Sequence, residues 1–180
     1  MPRLDPPDPS TFTPDQRRIA DAIIESRGAL GGPFLSWMAS PELCDRAQHL
    51  GDFCRYHSSL EPFLSEFAII VIARYWKSQY EFYAHSRAGS AAGISDAIIE
   101  AVRLGASPPL EDERHRAIYT FLTEYFATHR VTDATYARAK AALTERGVVD
   151  LIGIAGYYAP VAMTLNVFEV PVPDGPLPFE

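Results

Sequence analysis

Residues 62–95, PFLSEFAIIVIARYWKSQYEFYAHSRAGSAAGIS, decide the fold class of this 180-residue chain. They open with a proline and continue into an apolar run, FAIIVIARYW, that indicates a helix near the core. Ser78 and Glu81 then form a Ser-x-x-Glu capping-box pattern, which predicts that a second helix starts at Ser78 and that the first ends near Trp76. The stretch is therefore expected to form two consecutive helices joined by a tight turn.

Helix signals of the same kind continue outward in both directions. They predict further helices over residues 13–28, 40–57, 95–105, 111–129, 132–147 and 148–168. No segment of the sequence alternates in polarity with period two for long enough to indicate a strand. The predicted fold class is all-α, with seven or eight helices.

Length and composition predict one domain over residues 1–180. With 47% hydrophobic and 12% aromatic residues, the chain has enough apolar side chains for one core. The proline-rich segments 1–12 and 170–180 are predicted to be arms that pack along the surface or along a neighbouring subunit, because dense proline excludes helix and central strand. The net charge of −7, with scattered basic residues, argues against a nucleic-acid partner.

The cysteines and the first residues predict a cytoplasmic protein. Cys44 and Cys54 lie in one helical pattern, about 15 Å apart along the axis, which exceeds the reach of a disulfide. The first residues are polar and lack the apolar segment of a secretory signal. Two free thiols without such a signal are typical of the cytoplasm.

Residues 148–168, VVDLIGIAGYYAPVAMTLNVF, are long enough to span a bilayer. Because they contain Asp150, Pro160 and Asn166, we expect a helix that is buried on all sides within the protein and no membrane partner. A monomer of this size cannot readily cover a helix that is apolar around its whole circumference. The sequence therefore predicts a homo-oligomer.

Ser78, Glu81 and His85 are the first candidates for chemistry. Spacings of three and four residues place them on one stripe of a helix, where a carboxyl and an imidazole can form a proton-transfer pair. A structural explanation stays open, because Ser78 and Glu81 alone make an ordinary capping box and Glu–His pairs at this spacing are common on exposed faces. Glu66 lies in an apolar helix, so it is either at the helix surface or meets a polar partner inside.

Neither a metal nor an organic cofactor is expected. A ferritin-like di-iron site needs two Glu-x-x-His pairs, whereas this sequence has a single Glu-x-x-x-His. No cysteine clusters with a histidine, and neither a nucleotide-binding motif nor Gly-x-Ser-x-Gly occurs. His115 and His129 belong to a charged amphipathic helix and are expected to be solvated.

The pattern Glu81-Phe82-x-x-His85-x-Arg87, followed by Gly-Ile-Ser at 93–95, resembles the carboxymuconolactone decarboxylase family of the AhpD-like superfamily. Residues 149–166 are similar to that family's last helix, and the resemblance covers roughly residues 30–172. It implies an all-α fold that assembles into trimers or hexamers, with the active site near subunit contacts.

The superfamily also has a redox branch, whose signature is a glutamate followed by Cys-x-x-Cys-x-x-x-His. When this chain is aligned on His85, the two cysteine positions fall on Ser78 and Glu81, and the upstream glutamate falls on Glu66. Serine and carboxylate cannot cycle through a disulfide, so thiol peroxidase activity is excluded. The resemblance is therefore to a non-redox branch.

The resemblance also implies roles for individual residues. His85 would be the general acid/base, with Glu81 as its orienting or proton-sharing partner and Glu66 as a relay behind them. Arg87 would bind a substrate carboxylate. The other substrate contacts would be Ser78, Trp76, Tyr80 and Tyr83.

Two functions from different classes follow. The first is a cofactor-free lyase (a decarboxylase) or isomerase that acts on a small anionic substrate, namely a carboxylated unsaturated lactone or related keto acid. The alternative is a non-catalytic ligand-binding or scaffold oligomer of the same fold. They differ in whether Glu66, Glu81 and His85 converge on one buried pocket.

Overall fold

The computed structural model describes residues 2–179, so the outermost residue of each predicted arm, 1 or 180, lies outside the described range. Eight α-helices and no strand occur within that range, which confirms the predicted all-α class. The helices are α1 (Pro14–Arg27), α2 (Pro33–Trp37), α3 (Pro41–Asp52), α4 (Pro62–Tyr75), α5 (Gln79–Ala91), α6 (Asp96–Leu104), α7 (Glu113–Thr128) and α8 (Asp133–Val167). A 3₁₀ turn at Pro9–Thr11 precedes α1, and a π-helical segment at Phe53–His57 continues α3.

Local sequence signals set several helix ends. Thr13 and Gln16 form the predicted capping box: the Thr13 hydroxyl accepts from the Gln16 amide at 3.3 Å, and the Gln16 side chain accepts from the Thr13 amide at 2.9 Å. Thr132 caps α8 by accepting from the Thr135 amide at 3.3 Å. Gly28 ends α1 with φ of 80°, a left-handed conformation that glycine adopts without strain.

α4 is the central helix of the fold. Ten consecutive residues, 64–73, are buried in it, and it packs against α5, α7 and α8. A helix that is apolar around its circumference must be covered on all sides, and these three neighbours provide the cover. α4 therefore fixes the position of Glu66 within the core.

Within a single chain, residues 148–168 are buried on one face only, whereas the sequence predicted burial on all sides. One face of α8 packs on the core, whereas Val149, Ile152 and Met163 are 66%, 55% and 52% exposed. By length and composition α8 could cross a membrane, but half of its most apolar window lies inside the protein, as in a core helix. The exposed half forms an apolar strip along the surface.

The break between the last two predicted helices lies at Thr144 rather than Gly147. Thr144 has φ of 71° and ψ of 170°, and helical backbone resumes directly after it, so the two helices form the single kinked helix α8. Gly147 has a packing role instead, because a Cβ there would stand 2.9 Å from the Cβ of Leu143. Gly147 thus marks a close approach and not a helix end.

His115 is buried, which corrects the expectation that it is solvated. Its ring lies against Phe63 and Phe67, with centroids 4.0 and 4.5 Å away, and its Nε2 bonds to the Phe63 carbonyl at 3.0 Å. Burial lowers the pKa of His115, because a charged imidazole would lose its hydration. This histidine is part of the packing between α4 and α7.

The C-terminal arm packs along α5 of its own chain. The side chain of Gln79 makes two hydrogen bonds of 2.8 Å to the backbone of Phe179. The Phe179 ring is buried edge-on against Phe82, with centroids 4.9 Å apart. The described part of the N-terminal arm contacts the end of α8, where the amide of Arg3 donates to the Phe168 carbonyl at 2.9 Å.

Candidate functional site

Glu66 on α4 and His85 on α5 form a buried hydrogen bond between two neighbouring helices. His85 Nδ1 lies 2.6 Å from Glu66 Oε2, and both side chains are less than a tenth exposed. An ionised carboxylate can only accept, so Nδ1 carries the proton of this bond. The arrangement fixes the orientation of the imidazole and leaves Nε2 as the nitrogen available to a ligand.

Arg55 completes this cluster from the π-helical segment that follows α3. Its Nε lies 3.4 Å from Glu66 Oε1, so the two carboxylate oxygens face one partner each. Burial by itself would raise the pKa of Glu66, but the charge and hydrogen bond of His85, and then those of Arg55, outweigh burial and lower it. Glu66 is therefore ionised at neutral pH.

Arg55 could not be identified from the sequence, because the residue lies within what was predicted to be a regular helix through residue 57. The π-helical turn at Phe53–His57 changes the direction of its side chain relative to that helix. A one-residue shift of this kind leaves no signal in hydrophobic periodicity. The contact depends on how the segment packs against α4.

Tyr158 on α8 supplies an aromatic wall of the site. Its ring meets the His85 ring edge-on, with centroids 5.0 Å apart at 87°, and Tyr157 meets Tyr158 in the same way at 5.2 Å. Burial raises the pKa of Tyr158 well above its usual value, so its hydroxyl keeps its proton. Both tyrosines lie within residues 149–166, whose resemblance to the family's last helix assigns neither of them a role.

A cavity of about 200 Å³ lies beside the cluster. Its lining residues are Arg27, Ala29, Gly31, Gly32, Pro33, Phe34, Gly51, Arg55, Tyr80, Ala84, His85, Tyr157, Tyr158 and Val161. Two guanidinium groups and one imidazole line it, and none of the described residues in its wall is acidic. The cavity therefore favours a small anionic ligand.

A tight turn of the chain closes one side of this cavity. Gly32 has φ of 59°, and a Cβ there would lie 3.2 Å from the ring of Tyr80. Arg27 is held beside the turn by a hydrogen bond of 2.8 Å to the Gln48 carbonyl and by the Phe34 ring, 4.8 Å from its guanidinium carbon. Among the aromatic residues predicted to contact the substrate, namely Trp76, Tyr80 and Tyr83, it is Tyr80 that lines this cavity.

Glu81 does not partner His85, which corrects the predicted pair. Both of its carboxyl oxygens are buried without a hydrogen-bond partner among the described residues, and the same holds for the Ser78 hydroxyl. Burial raises the pKa of Glu81 well above its usual value, so the group is an uncharged acid. The spacing of four residues would permit Glu81 to contact His85 on a helix, but the imidazole forms its hydrogen bond with Glu66.

The predicted capping box at Ser78 and Glu81 is also absent. Ser78 is the N-cap of α5, but its side chain makes no capping hydrogen bond. Its backbone has ψ of 102°, whereas Thr13, which forms a complete box, has ψ of 163°. The different backbone angle and the burial of both side chains explain why this motif does not close.

Arg87, Tyr83 and Trp76 lie away from the cavity. Arg87 is paired with Asp174 of the C-terminal arm at 3.0 Å, and its guanidinium carbon stands 4.2 Å from the Tyr83 ring centroid. The Tyr83 hydroxyl donates to the same Asp174 at 2.7 Å. Two residues along a helix turn the side chain by about 200°, so Arg87 faces away from His85. The cation beside the imidazole is Arg55.

The two cysteines are buried thiols outside the cavity wall. Burial raises the pKa of Cys44 to about 12 and that of Cys54 to about 11. Both are free, and neither forms a thiolate near neutral pH. Across residues 2–179, no three side chains of His, Cys, Asp or Glu lie close enough together to hold a metal ion.

No protein-family model matches the sequence, and no curated protein matches it. Solved structures do match the fold. An uncharacterized peroxidase-related protein from Ralstonia eutropha JMP134, described as an alkylhydroperoxidase AhpD core, superposes with a TM-score of 0.79 at 18% identity, covering 96% of this chain and 93% of that one. A peroxidase-related protein from Silicibacter sp. TM1040 gives 0.77 at 16% identity, covering 94% and 91%.

A third match is the debrominase Bmp8, whose structure contains 2,3,4-tribromopyrrole. It superposes with a TM-score of 0.76 at 10% identity, covering 96% of this chain and 94% of that one. Identities of this size establish the fold and leave the activity open. The fold implied by the sequence resemblance is thus confirmed, while the non-redox assignment stays a prediction. The chain has the AhpD-like helical fold.

Proposed function

We propose that this chain is a cofactor-free enzyme that transfers a proton to or from a small anionic substrate in the Arg55–His85 cavity. One observation carries the proposal: the buried 2.6 Å bond between Glu66 and His85 lies at the edge of a cavity lined by two arginines. A buried carboxylate that orients an imidazole is the arrangement used for general acid/base catalysis. Imidazole suits this task because it exchanges protons near neutral pH.

Each residue of the cluster has a separate task in this proposal. Glu66 holds Nδ1 and fixes the orientation of the ring, and Nε2 exchanges the proton with the substrate. Arg55 and Arg27 bind the anionic group of the substrate, since guanidinium groups match carboxylate geometry. Glu81 does not line the cavity, so its predicted catalytic role stays a hypothesis for the mutants below.

The reaction class that fits these groups is that of a lyase or isomerase acting on a carboxylated unsaturated lactone or related keto acid. In decarboxylation, the bond to the carboxylate breaks and its electron pair moves into the conjugated carbonyl of the substrate. Nε2–H of His85 then donates a proton to the resulting carbanion, and solvent restores the imidazolium. In isomerisation, neutral Nε2 first removes a proton from one carbon of the substrate, the electron pair moves into the conjugated carbonyl, and Nε2–H returns the proton to a different carbon.

The matched structures support catalysis on small molecules in a general way. Bmp8 is named a debrominase and was crystallised with a small unsaturated ring compound, so a protein of this fold can host chemistry on such a ring. The two cysteines here are buried and protonated, which favours proton transfer over thiol chemistry in this chain.

A substrate screen tests the proposal. Purified protein would be incubated with carboxylated lactones and β-keto acids, and carbon dioxide release and product formation would be measured. We expect turnover by the wild type, loss of turnover in His85→Gln, and unchanged turnover in the control His49→Gln, which alters an exposed histidine on α3. Binding of these acids without turnover would favour the non-catalytic alternative.

The predicted homo-oligomer stays a proposal, which the exposed apolar surface supports. Leu43 and Leu50 of α3 are 53% and 50% exposed and border, together with Met163 of α8, an apolar groove of about 480 Å³. A second copy of the chain could cover this surface. Light scattering at micromolar concentration should give a trimer or a larger assembly, and a monomer would contradict it.

A further inference from the structure

A second cavity, of about 370 Å³, lies between the C-terminal ends of α4 and α6 and the second half of α7. It shares no lining residue with the His85 cavity. Its wall is formed mainly by Val71, Arg74, Tyr75, Val102, Tyr119 and Phe126. This wall contains three aromatic rings and one cation, and none of the described residues in it is acidic.

Arg74 is a cation without a counter-ion in the part of the chain that the structure describes. Its Nε is buried and has no hydrogen-bond acceptor. An unmet N–H on a charged group costs more than one on a neutral group, because a guanidinium loses strong hydration on burial. Arg74 also lines the cavity, so a carboxylate bound there can supply the counter-ion that the guanidinium lacks among the described residues.

Two neighbours lie close to the Arg74 guanidinium. The ring of Phe179, from the docked C-terminal arm, lies 5.3 Å from the guanidinium carbon. The second neighbour is Gly105, at the C-terminal end of α6, where a Cβ would stand 2.9 Å from Arg74 Nη2. Its φ of 72° also favours glycine at this position. The glycine therefore leaves the guanidinium the room that a side chain at position 105 would take, beside the Phe179 ring.

The remaining wall selects the body of the ligand. Tyr75 and Phe126 stack in parallel, with centroids 4.0 Å apart at 7°, and both line the cavity together with Val71 and Val102. Flat or branched apolar groups bury most area against such a surface. The wall holds no histidine, carboxyl or thiol among the described residues, so it supplies no group that exchanges a proton at neutral pH.

We propose that this cavity is a binding site for a small aromatic monocarboxylate, with its carboxylate on Arg74 and its ring against Tyr119 and Phe126. It binds and does no chemistry. The site is independent of the proposed function of the His85 cavity, because the two walls have no residue in common.

Isothermal titration with phenylacetate tests the site, with 2-phenylethanol as a neutral ligand of similar shape. We expect the wild type to bind phenylacetate with a Kd of about 1 mM or tighter and 2-phenylethanol at least about 10-fold more weakly. Arg74→Met keeps the apolar stem and should weaken phenylacetate binding at least about 10-fold. Circular dichroism would establish that the variant is folded.

Two controls separate this cavity from the rest of the molecule. Arg87→Met removes an exposed arginine that pairs with Asp174 and should leave the Kd unchanged. Arg55→Met should also leave it unchanged, because Arg55 lines the other cavity. If Arg74→Met fails to fold, Thr123→Trp, at an exposed lining position, should obstruct the cavity and weaken binding.

Three outcomes would overturn the proposal. They are absence of phenylacetate binding by the wild type, unchanged affinity in folded Arg74→Met (or, if that variant does not fold, in Thr123→Trp), and loss of affinity in Arg55→Met instead. The last result would assign phenylacetate to the His85 cavity.

Discussion

Glu66 and Glu81 are both buried glutamates, on neighbouring helices, and the structure puts them in opposite states. Glu66 faces His85 and Arg55, which lower its pKa in spite of burial. Glu81 has no hydrogen-bond partner among the described residues, and burial raises its pKa well above the usual value. Burial is similar at the two positions, so the partner decides which carboxyl is charged.

This difference assigns different roles to the two acids. The charge of Glu66 can orient and stabilise the imidazole, whereas an uncharged Glu81 cannot attract it. In the alignment on His85, Glu81 occupies a position that holds a cysteine in the redox branch, and Ser78, at the other cysteine position, is likewise buried without a hydrogen-bond partner among the described residues. Mutants that treat the two glutamates alike can test the contrast directly.

The largest expected effect is on kcat. Glu66→Gln and His85→Gln should each lower kcat about 10²–10⁴-fold, the usual contribution of a positioned acid/base, and the double mutant should be little worse than either. Glu81→Gln should cost less than about 10-fold, because Glu81 lies outside the cavity wall. Steady-state kinetics on the substrate found in the screen would measure this. Equal losses in both glutamate mutants would restore the Glu81–His85 pair predicted from the sequence.

The next effect concerns substrate binding by the two candidate arginines. Arg55→Met should raise KM about 10–100-fold, since a hydrogen bond to a charged group contributes about 1.5–3 kcal/mol. Arg87→Met should leave KM within about two-fold, because Arg87 pairs with Asp174 on the surface and surface ion pairs contribute little. A larger KM change in Arg87→Met than in Arg55→Met would contradict the assigned site.

The two glutamates should also give opposite pH dependence of stability. Glu66, with its lowered pKa, contributes stability above the ordinary glutamate pKa, and this contribution is lost as pH falls through its folded value. Glu81 keeps its proton in the fold, so stability is lost as pH rises above the ordinary value of about 4.3. Glu81→Gln should therefore gain stability relative to wild type as pH rises from 5 to 7, with a slope of up to about 1.4 kcal/mol per pH unit.

Urea unfolding at several pH values would measure these slopes. Glu66→Gln should instead lose stability relative to wild type as pH rises from 3 to 6. Glu25→Gln, at an exposed position of α1, serves as the control for removing one carboxylate from the surface. If the free energy of unfolding changed with pH in the same way in all three variants, the environments of Glu66 and Glu81 would not differ as described.

The smallest effect is expected from the thiols. Replacing Cys44 and Cys54 together with alanine should leave kcat/KM within a few-fold, because both are buried, protonated and outside the cavity wall. A moderate loss of stability is expected from the truncated core. Dithiol-dependent hydroperoxide turnover by the wild type that disappears in this variant would overturn the exclusion of redox chemistry.

Much of the fold could be predicted because helix signals act over a few residues. The Thr13 capping box, the Thr132 cap and the all-α class depend on short-range hydrogen bonds and periodicity that the sequence contains. The resemblance also singled out Glu66 and His85 together, although they are 19 residues apart. In these respects sequence and structure agree.

Where the two disagree, the deciding contact is between elements that are distant in the chain. The spacing of Glu81 and His85 on α5 permits a contact between them, but α4 packs against α5 so that the imidazole forms its hydrogen bond with Glu66. A π-helical turn aimed Arg55 at the same carboxylate, and the exposed face of α8 depends on which neighbours cover it.

The sequence by itself determined the all-α class, where most of the helices begin, and which residue types are available for proton transfer. Only the tertiary structure decided which of two buried glutamates is charged and which arginine lies beside the histidine. The physical reason is that pKa and ligand binding depend on groups within a few ångströms in space. Periodicity along the chain determines which residues share one face of a helix, but it does not determine which groups of other helices that face contacts.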